Sequence, residues 1–259
     1  MSQSVENSLF DLTGRRALIT GSTQGIGLAL AYGLARFGAT VVLNGRDESR
    51  VKAAAEKMMA DGFQTESSVF DVTNQQAVIA SVTRIEKELG PIDILINNAG
   101  IQRRAPLEDF QSENWDAIVL TNLTSVFYVS QAVAKNMIPR QKGKIINICS
   151  VQSQLGRPSI APYAATKGAV AMFTKGMCAD WAKYGIQANG LAPGYFATEL
   201  NRALVDNEEF SAWLCKRTPA GRWGNVDELN GAAVFLASDA SSFVNGQIIY
   251  VDGGMTSTV

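Results

Sequence analysis

A tyrosine and a lysine one helical turn apart can move a proton. This sequence has such a pair at Tyr163 and Lys167, in the stretch SIAPYAATKGAV, with Ser150 thirteen residues before the tyrosine. The i, i+4 spacing puts both side chains on one face of a helix. A free phenol titrates near pH 10 and is a poor proton shuttle at neutrality, so a neighbouring cation that favours the phenolate has a purpose. Two unit charges about 4 Å apart at an effective dielectric of about 20 attract by roughly 4 kcal/mol, enough to lower the phenol by up to about three pH units before burial takes some back. Ser150 would hydrogen-bond a carbonyl oxygen as charge develops on it. The chain has no histidine, the usual acid–base residue, so a tyrosine in that role agrees with the composition.

The front of the chain offers a second kind of chemistry. The loop Thr20-Gly21-Ser22-Thr23-Gln24-Gly25-Ile26-Gly27 follows the apolar run Ala17-Leu18-Ile19 and leads into Ile26-Gly27-Leu28-Ala29-Leu30. It therefore turns from a strand into a helix whose first N–H groups can hold a pyrophosphate. Phosphate binding followed by proton transfer implies a nicotinamide-dependent oxidoreductase. The second strand ends Leu43-Asn44-Gly45-Arg46, where an NAD-binding protein places an acidic residue for the ribose hydroxyls. Neutral Asn44 and cationic Arg46 favour a 2′-phosphate instead, so NADP(H) is expected, with NAD(H) as the alternative. After strand three, Asp71 either faces the adenine, with Val72 beside it, or caps the helix beginning near Asn74. After strand four come Asn98, Ala99 and Gly100, small enough for a flat cofactor to approach, and Asn122 lies in the helix that follows.

These residues need a scaffold, and the periodicity supplies one. Short β-branched runs at Ala17–Thr20, Thr40–Asn44, Ser67–Phe70, Ile92–Asn97, Lys144–Ile148, Gly185–Ala192 and Gln247–Val251 read as strands. Helical spacing fills Ser49–Ala60, Gln75–Leu89, Trp115–Met137, Tyr163–Lys183 and Val226–Ser238. Runs such as Ile92-Asp93-Ile94-Leu95-Ile96 do not alternate, as expected of strands covered on both faces. The fold class expected is α/β, a doubly wound parallel sheet, with residues 1–259 as a single domain. Every residue singled out above then falls at the carboxyl ends of the strands, where such sheets bind ligands. The stretch 193–222 is the least regular and is expected to be a substrate lid.

Composition narrows the function classes. A chain of 259 residues with 46% hydrophobic content can build one large core without disulfide or metal. Cys149, Cys178 and Cys215 are widely spaced and read as buried reduced thiols, which with the missing histidines implies no metal site. The opening MSQSVENSLFDL lacks a basic-then-apolar leader, and no run of about 18 apolar residues occurs, so a cytoplasmic protein without membrane spans is expected. A net charge of −1 argues against a nucleic-acid partner.

TGSTQGIG, NNAG, Asn122, Ser150, Tyr163, Lys167 and Pro193-Gly194 with Thr198 together resemble the short-chain dehydrogenase/reductase family over essentially the whole chain. The resemblance implies that Tyr163 is the general acid/base, that Lys167 lowers its pKa and binds the nicotinamide ribose, and that Ser150 positions the substrate carbonyl. It implies further that Asn122 holds a proton-relaying water, that Thr198 contacts the carboxamide, and that the protein is a homotetramer built through the helices near Trp115–Met137 and Tyr163–Lys183 and the C-terminal tail. One position departs from the family pattern: NADP-preferring relatives often carry a basic residue where this chain has Gln24, which leaves cofactor choice to Arg46.

Four stretches, NNAGIQRR, NICSVQSQLGR, PGYFATE and WLCKRTPAGRWG, resemble members of the family that act on keto-sugar acids. That narrower resemblance implies reversible reduction of 5-keto-D-gluconate with NADPH. Arg103, Arg104, Lys216 and Arg217 are the cations that could meet a sugar-acid carboxylate, with Arg104 preferred for its place at the mouth of strand four. Gln102, Gln152 and Gln154 offer amides to hydroxyls, and Trp213 is either a substrate wall or part of the core or an interface. Another carbonyl substrate, such as a 3-oxoacyl carrier or a diketone, and a cofactor-binding protein without turnover remain as alternatives.

Overall fold

The computed structural model describes residues 9–259, so the greater part of the N-terminal segment read above for a leader lies outside the described residues. Seven parallel strands, β1 (Arg16–Ile19), β2 (Thr40–Gly45), β3 (Thr65–Val69), β4 (Ile94–Asn97), β5 (Gly143–Ile148), β6 (Ile186–Pro193) and β7 (Ile248–Val251), form one sheet in the order β3-β2-β1-β4-β5-β6-β7. The order reverses between β1 and β4, which opens a crevice at their carboxyl ends. Pairing is in register there, with Ile19 opposite both Leu43 and Ile96.

Apolar side chains pack on both faces of the sheet, as the unalternating strands require. One face takes Leu30, Leu34 and Ala31 of α1 (Gly25–Arg36), Val51 and Met58 of α2 (Glu48–Ala60), and Leu236 of α9 (Asn230–Ala237). The other takes Val78 and Val82 of α3 (Gln75–Arg84), Val129 and Val133 of α5 (Ser125–Arg140), and Val170 and Met177 of α6 (Ala161–Trp181). Helix starts follow the side chains available: Asp47 accepts from Arg50 N–H to cap α2, and Asn74 accepts from Ala77 N–H to cap α3.

Three expectations are corrected at this level. The helix expected at Trp115–Met137 starts earlier, as α4 (Ser112–Val119), and runs through a π-helical turn at Leu120–Thr124 into α5. That continuous helix, Ser112–Arg140, is by length and composition alone apolar enough to cross a membrane, but half of its most apolar window is buried against the rest of the fold. The segment after β6 is not irregular, since it holds α7 (Arg202–Val205) and α8 (Glu208–Arg217), the latter capped by Asn207. Of the three free cysteines only Cys149 is buried; Cys178 and Cys215 are partly exposed.

Candidate active site

The glycine loop is shaped by contacts that leave no room for side chains. Gly21 has φ +61°, and a Cβ there would lie 2.9 Å from Ala99 Cα; a Cβ on Gly27 would lie 2.5 Å from both Asn98 Nδ2 and Gly21 O. Gly25 also has positive φ but faces open space. Asn98 locks the loop from β4 by donating to the carbonyls of Thr20 and Gly21 at 2.9 and 2.8 Å, while Thr20 Oγ1 accepts from the N–H groups of Asn98 and Ala99. The first turn of α1 has no acidic residue, and its N-cap, exposed Gln24, makes no capping bond. Its N–H groups and dipole are thus free to receive an anion. Arg46 is exposed just beyond β2 and makes no hydrogen bond or ion pair among the described residues. An open helix end, a close-packed glycine loop and an unpaired guanidinium together fit a dinucleotide phosphate chain with an extra phosphate on its ribose.

Several residues read as cofactor contacts do other work with their side chains. Ser22 is fully buried, its hydroxyl donating to Ile19 O at 2.7 Å and its N–H to Asn44 O, so neither is left for a phosphate. Asn44 is not at a ribose edge: its amide is buried, accepts from Gly21 N–H and donates to Ser68 O and Phe70 O. Asp71 accepts from Thr73 N–H and Oγ1 in a local turn, and the cap of α3 is Asn74, not Asp71. Val72 sends its side chain into the core. Thr23 and Ile26 are partly exposed along the loop, and Gly100 is exposed above Asn122, 3.4 Å from its Oδ1 if a Cβ is added.

On the other side of the crevice, Ser150 begins a 3-10 turn, Val151–Ser153, directly after β5. Its hydroxyl accepts from Gln152 N–H, and Ser153 Oγ in turn donates to Lys167 O at 3.0 Å, which fixes the turn to α6. On α6, Tyr163 and Lys167 do share a face, with the Lys167 ammonium 5.8 Å from the Tyr163 ring centre. No hydrogen bond joins the Lys167 ammonium to the Tyr163 hydroxyl among the described residues, so the cation acts on the phenol through its field. Lys167 donates instead to Ile148 O at 2.5 Å. Burial dominates both groups: it raises the Tyr163 phenol to about 12, against a smaller opposing pull from a hydrogen bond with Ser150, and lowers Lys167 to about 8. Asn122, in the π-helical turn, ties that turn to the segment after β4, accepting from Ile101 N–H at 2.8 Å and donating to Ile101 O at 2.9 Å, which leaves an acceptor site on its Oδ1.

Beneath these groups lies a buried polar network that the sequence did not announce. Asn97 donates to Ser130 Oγ and to Asn147 Oδ1, both at 2.8 Å, and Asn147 donates to Thr174 Oγ1 at 2.9 Å. It bolts β4, α5, β5 and α6 together under the site, and such networks fix one arrangement when fully satisfied. Pro193 ends β6, and a Cβ on Gly194 would lie 2.7 Å from Asp252 Cα. Thr198 starts the turn that follows, with its hydroxyl unbonded among the described residues.

The candidate substrate cations separate. Arg217 holds the C-terminal tail through Thr258, and Lys216 is exposed on α8 with no ion pair among the described residues. Arg103 bonds the neighbouring carbonyl of Gln102. Arg104 stands exposed at the mouth of β4 with no ion pair among the described residues, and partial desolvation and the Arg157 guanidinium both act against its charge. Gln154 is exposed, whereas Gln152 is buried and donates to the Tyr195 hydroxyl at 3.3 Å. Trp213 is 47% exposed, its ring 5.3 Å from that of Phe210. Tyr195 and Arg157 are the neighbours the sequence reading overlooked; both lie inside stretches it quoted, and nothing in their local spacing marks them.

Such a glycine loop and a Ser–Tyr–Lys set at the ends of a parallel sheet define a class, and comparison with known proteins agrees. The model of a family described as enoyl-(acyl carrier protein) reductase matches residues 21–256. The chain belongs to the short-chain dehydrogenase/reductase family and is an oxidoreductase. It is 64% identical over 248 residues to gluconate 5-dehydrogenase of Gluconobacter oxydans (strain 621H), covering 96% of this chain and 97% of that one. It is 55% identical over 249 residues to 5-keto-D-gluconate 5-reductase of Escherichia coli (strain K12), covering 96% and 98%. Among solved structures, a gluconate 5-dehydrogenase from Burkholderia cenocepacia J2315 in complex with NADP and tartrate superposes with a TM-score of 0.96 at 64% identity, covering 98% of this chain and 99% of that one.

Proposed function

We propose that this chain interconverts D-gluconate and 5-keto-D-gluconate with NADP(H), as a single cytoplasmic domain with residues 193–222 over the substrate, assembled as a homotetramer. The observation that carries the reading is the nearness of Tyr163 and Lys167 on one face of α6, 5.8 Å from ring centre to ammonium, to the turn that Ser150 begins at the strand ends, where Arg104 forms no ion pair among the described residues. The near-full-length identity to two enzymes named for this substrate pair supports it, as does the hydroxydicarboxylic acid named in the neighbouring NADP complex.

When bound, NADPH supplies the hydride to the keto carbon, and its oxidised form takes it back. The chain's residues do the rest. The N–H groups of Thr23, Gln24, Gly25, Ile26 and Gly27, opened by Gly21, would hold the phosphates; Arg46 would pair the 2′-phosphate; the backbone at Asp71 and Val72 would line the adenine side; Asn98, Ala99 and Gly100 would leave room along the loop; and Pro193, Gly194 and Thr198 would meet the carboxamide end. Ser150 hydrogen-bonds the substrate carbonyl, and Tyr163 gives its proton to that oxygen on reduction and removes it on oxidation. A phenol raised to about 12 stays loaded with its proton at neutral pH, which suits reduction. Lys167 holds the ribose hydroxyls and supplies positive field, the backbone near Asn122 holds a relaying water, and Arg104 pairs the substrate carboxylate with Gln152 at a hydroxyl.

The test is oxidation of NADPH by the purified enzyme across 5-keto-D-gluconate, an acetoacetyl thioester and a diketone, alongside Tyr163→Phe. Turnover should be fastest on 5-keto-D-gluconate, and the variant should lose at least about 10²-fold while still binding NADPH. Preference for the thioester or diketone refutes the substrate, and near-normal turnover by the variant removes Tyr163 from the mechanism.

A further inference from the structure

Arg157, in the loop between β5 and α6, has no task in the mechanism above, yet its surroundings are those of a binding group. Its guanidinium lies 5.2 Å over the ring of Phe210 on α8, and its Nε is buried with no hydrogen-bond partner. Among the described residues no carboxylate forms an ion pair with Arg157 or with Arg104. The segments carrying the two arginines are nevertheless tied together. Ala105 N–H donates to Ser159 O at 3.2 Å, and Ser159 holds φ +66°, a left-handed conformation uncommon for a residue with a side chain. Arg157 acts electrostatically against the charge on Arg104, and both arginines act on the Tyr195 phenol. Gln152, bonded to the Tyr195 hydroxyl, keeps a buried Oε1 without a partner.

Two cations held together by a strained loop, with donors left over and no acid among them, are arranged at a cost that an anion removes. We propose that Arg157 is a second substrate-recognising residue, forming with Arg104 a two-guanidinium receptor for the carboxylate of the sugar acid, while Tyr195 and Gln152 bind the hydroxyls beside it. The guanidinium geometry matches a carboxylate through paired N–H donors. Because Arg157 rests on Phe210, the carboxylate is gripped at the base of the lid. The inference rests on the sugar-acid reading above and supplies its selectivity for acids over neutral carbonyl compounds.

The test is calorimetric titration of D-gluconate and of tartrate into NADP+-saturated enzyme, with steady-state kinetics on 5-keto-D-gluconate, for wild type, Arg157→Gln and Arg157→Lys. Arg157→Gln should weaken gluconate binding and raise KM by about tenfold or more, the loss of one charged hydrogen bond, with kcat changed by less than about threefold and NADP+ affinity unchanged. Arg157→Lys, which keeps the charge and the fold's electrostatics but not the fork, should fall between. Gluconate affinity in both variants equal to wild type overturns the proposal, as does a matching loss of NADP+ affinity. Wild-type enzyme that binds neither acid overturns the receptor itself. If both acids bind through Arg157 but turnover occurs only on another keto acid, the substrate reading fails and the receptor stands.

Discussion

At Lys167 the cost of burying an ammonium competes with the use of its charge. Burial lowers its pKa to about 8, outweighing the attraction of its surroundings. The sign follows: below about pH 8 the group is charged and makes the phenol a stronger acid, and above it the amine is neutral and that help is lost. Carbonyl reduction, measured as kcat/KM, should therefore hold steady through neutral pH and fall above about 8, since this parameter reports groups of the free enzyme. In Lys167→Arg, whose cation persists past pH 12, the falling limb should move up even if overall activity drops. A limb that stays in place assigns it to another group. Arg46 carries the second prediction at this scale. It is exposed and unpaired, so replacing it by Ala should leave the fold intact and weaken NADPH more than NADH by about 1.5–3 kcal/mol, the range for a hydrogen bond to a charged group. The gap should narrow as salt is raised. Equal losses for both cofactors, read from tryptophan quenching or calorimetry, refute the 2′-phosphate contact.

At the level of elements, the sheet was readable because strands covered on both faces leave β-branched runs that no amphipathic helix would produce, and all seven lie within two residues of their expected places. The candidate site was readable as a cluster because Ser150 follows β5 directly and Tyr163 and Lys167 lie on the next long helix. What stayed hidden has physical reasons. The π-helical turn at Leu120–Thr124 inserts a residue without a proline or glycine to mark it, so apolar spacing runs through it unchanged. The α8 helix did leave signals, with Asn207 as cap, Glu208 and Glu209 in its first turn and Lys216 and Arg217 in its last, but it is a short helix in a stretch without a sustained apolar period. Ser22 and Asn44 stand at positions that usually face ligand, and only the three-dimensional backbone reveals the unpaired N–H and C=O groups they serve. Arg157 sits in a loop with no period, and its partner ring, Phe210, is far along the chain.

For the whole molecule, the unresolved economy is apolar surface. Half of the most apolar stretch of the Ser112–Arg140 helix is covered by this chain, and the outward side shows Trp115, Leu120 and Phe127, each at least 40% exposed. Met172 is 65% exposed on the adjoining α6, where Phe127 lies against Phe173 with ring centres 6.3 Å apart. Two neighbouring helices with bare apolar flanks suit a two-fold, self-complementary contact better than a lipid face, because the inner side of the same helix carries buried Asn122 and Ser130, which belong to the polar groups beneath the site. A stable contact of this kind covers about 800 Å² on each partner. Light scattering of the purified protein should give four times the 27.8 kDa chain mass. Phe127→Glu combined with Met172→Glu should split that assembly into smaller species, since each copy of a two-fold contact would meet the new charge twice, while far-ultraviolet circular dichroism stays unchanged. A wild-type monomer would falsify the tetramer; a double variant that remains four chains moves the contact away from α5 and α6. Because α6 carries Tyr163 and Lys167 on its inner face, the dissociated variant should also lose part of its turnover through a looser site, and restoring assembly at high protein concentration should recover it.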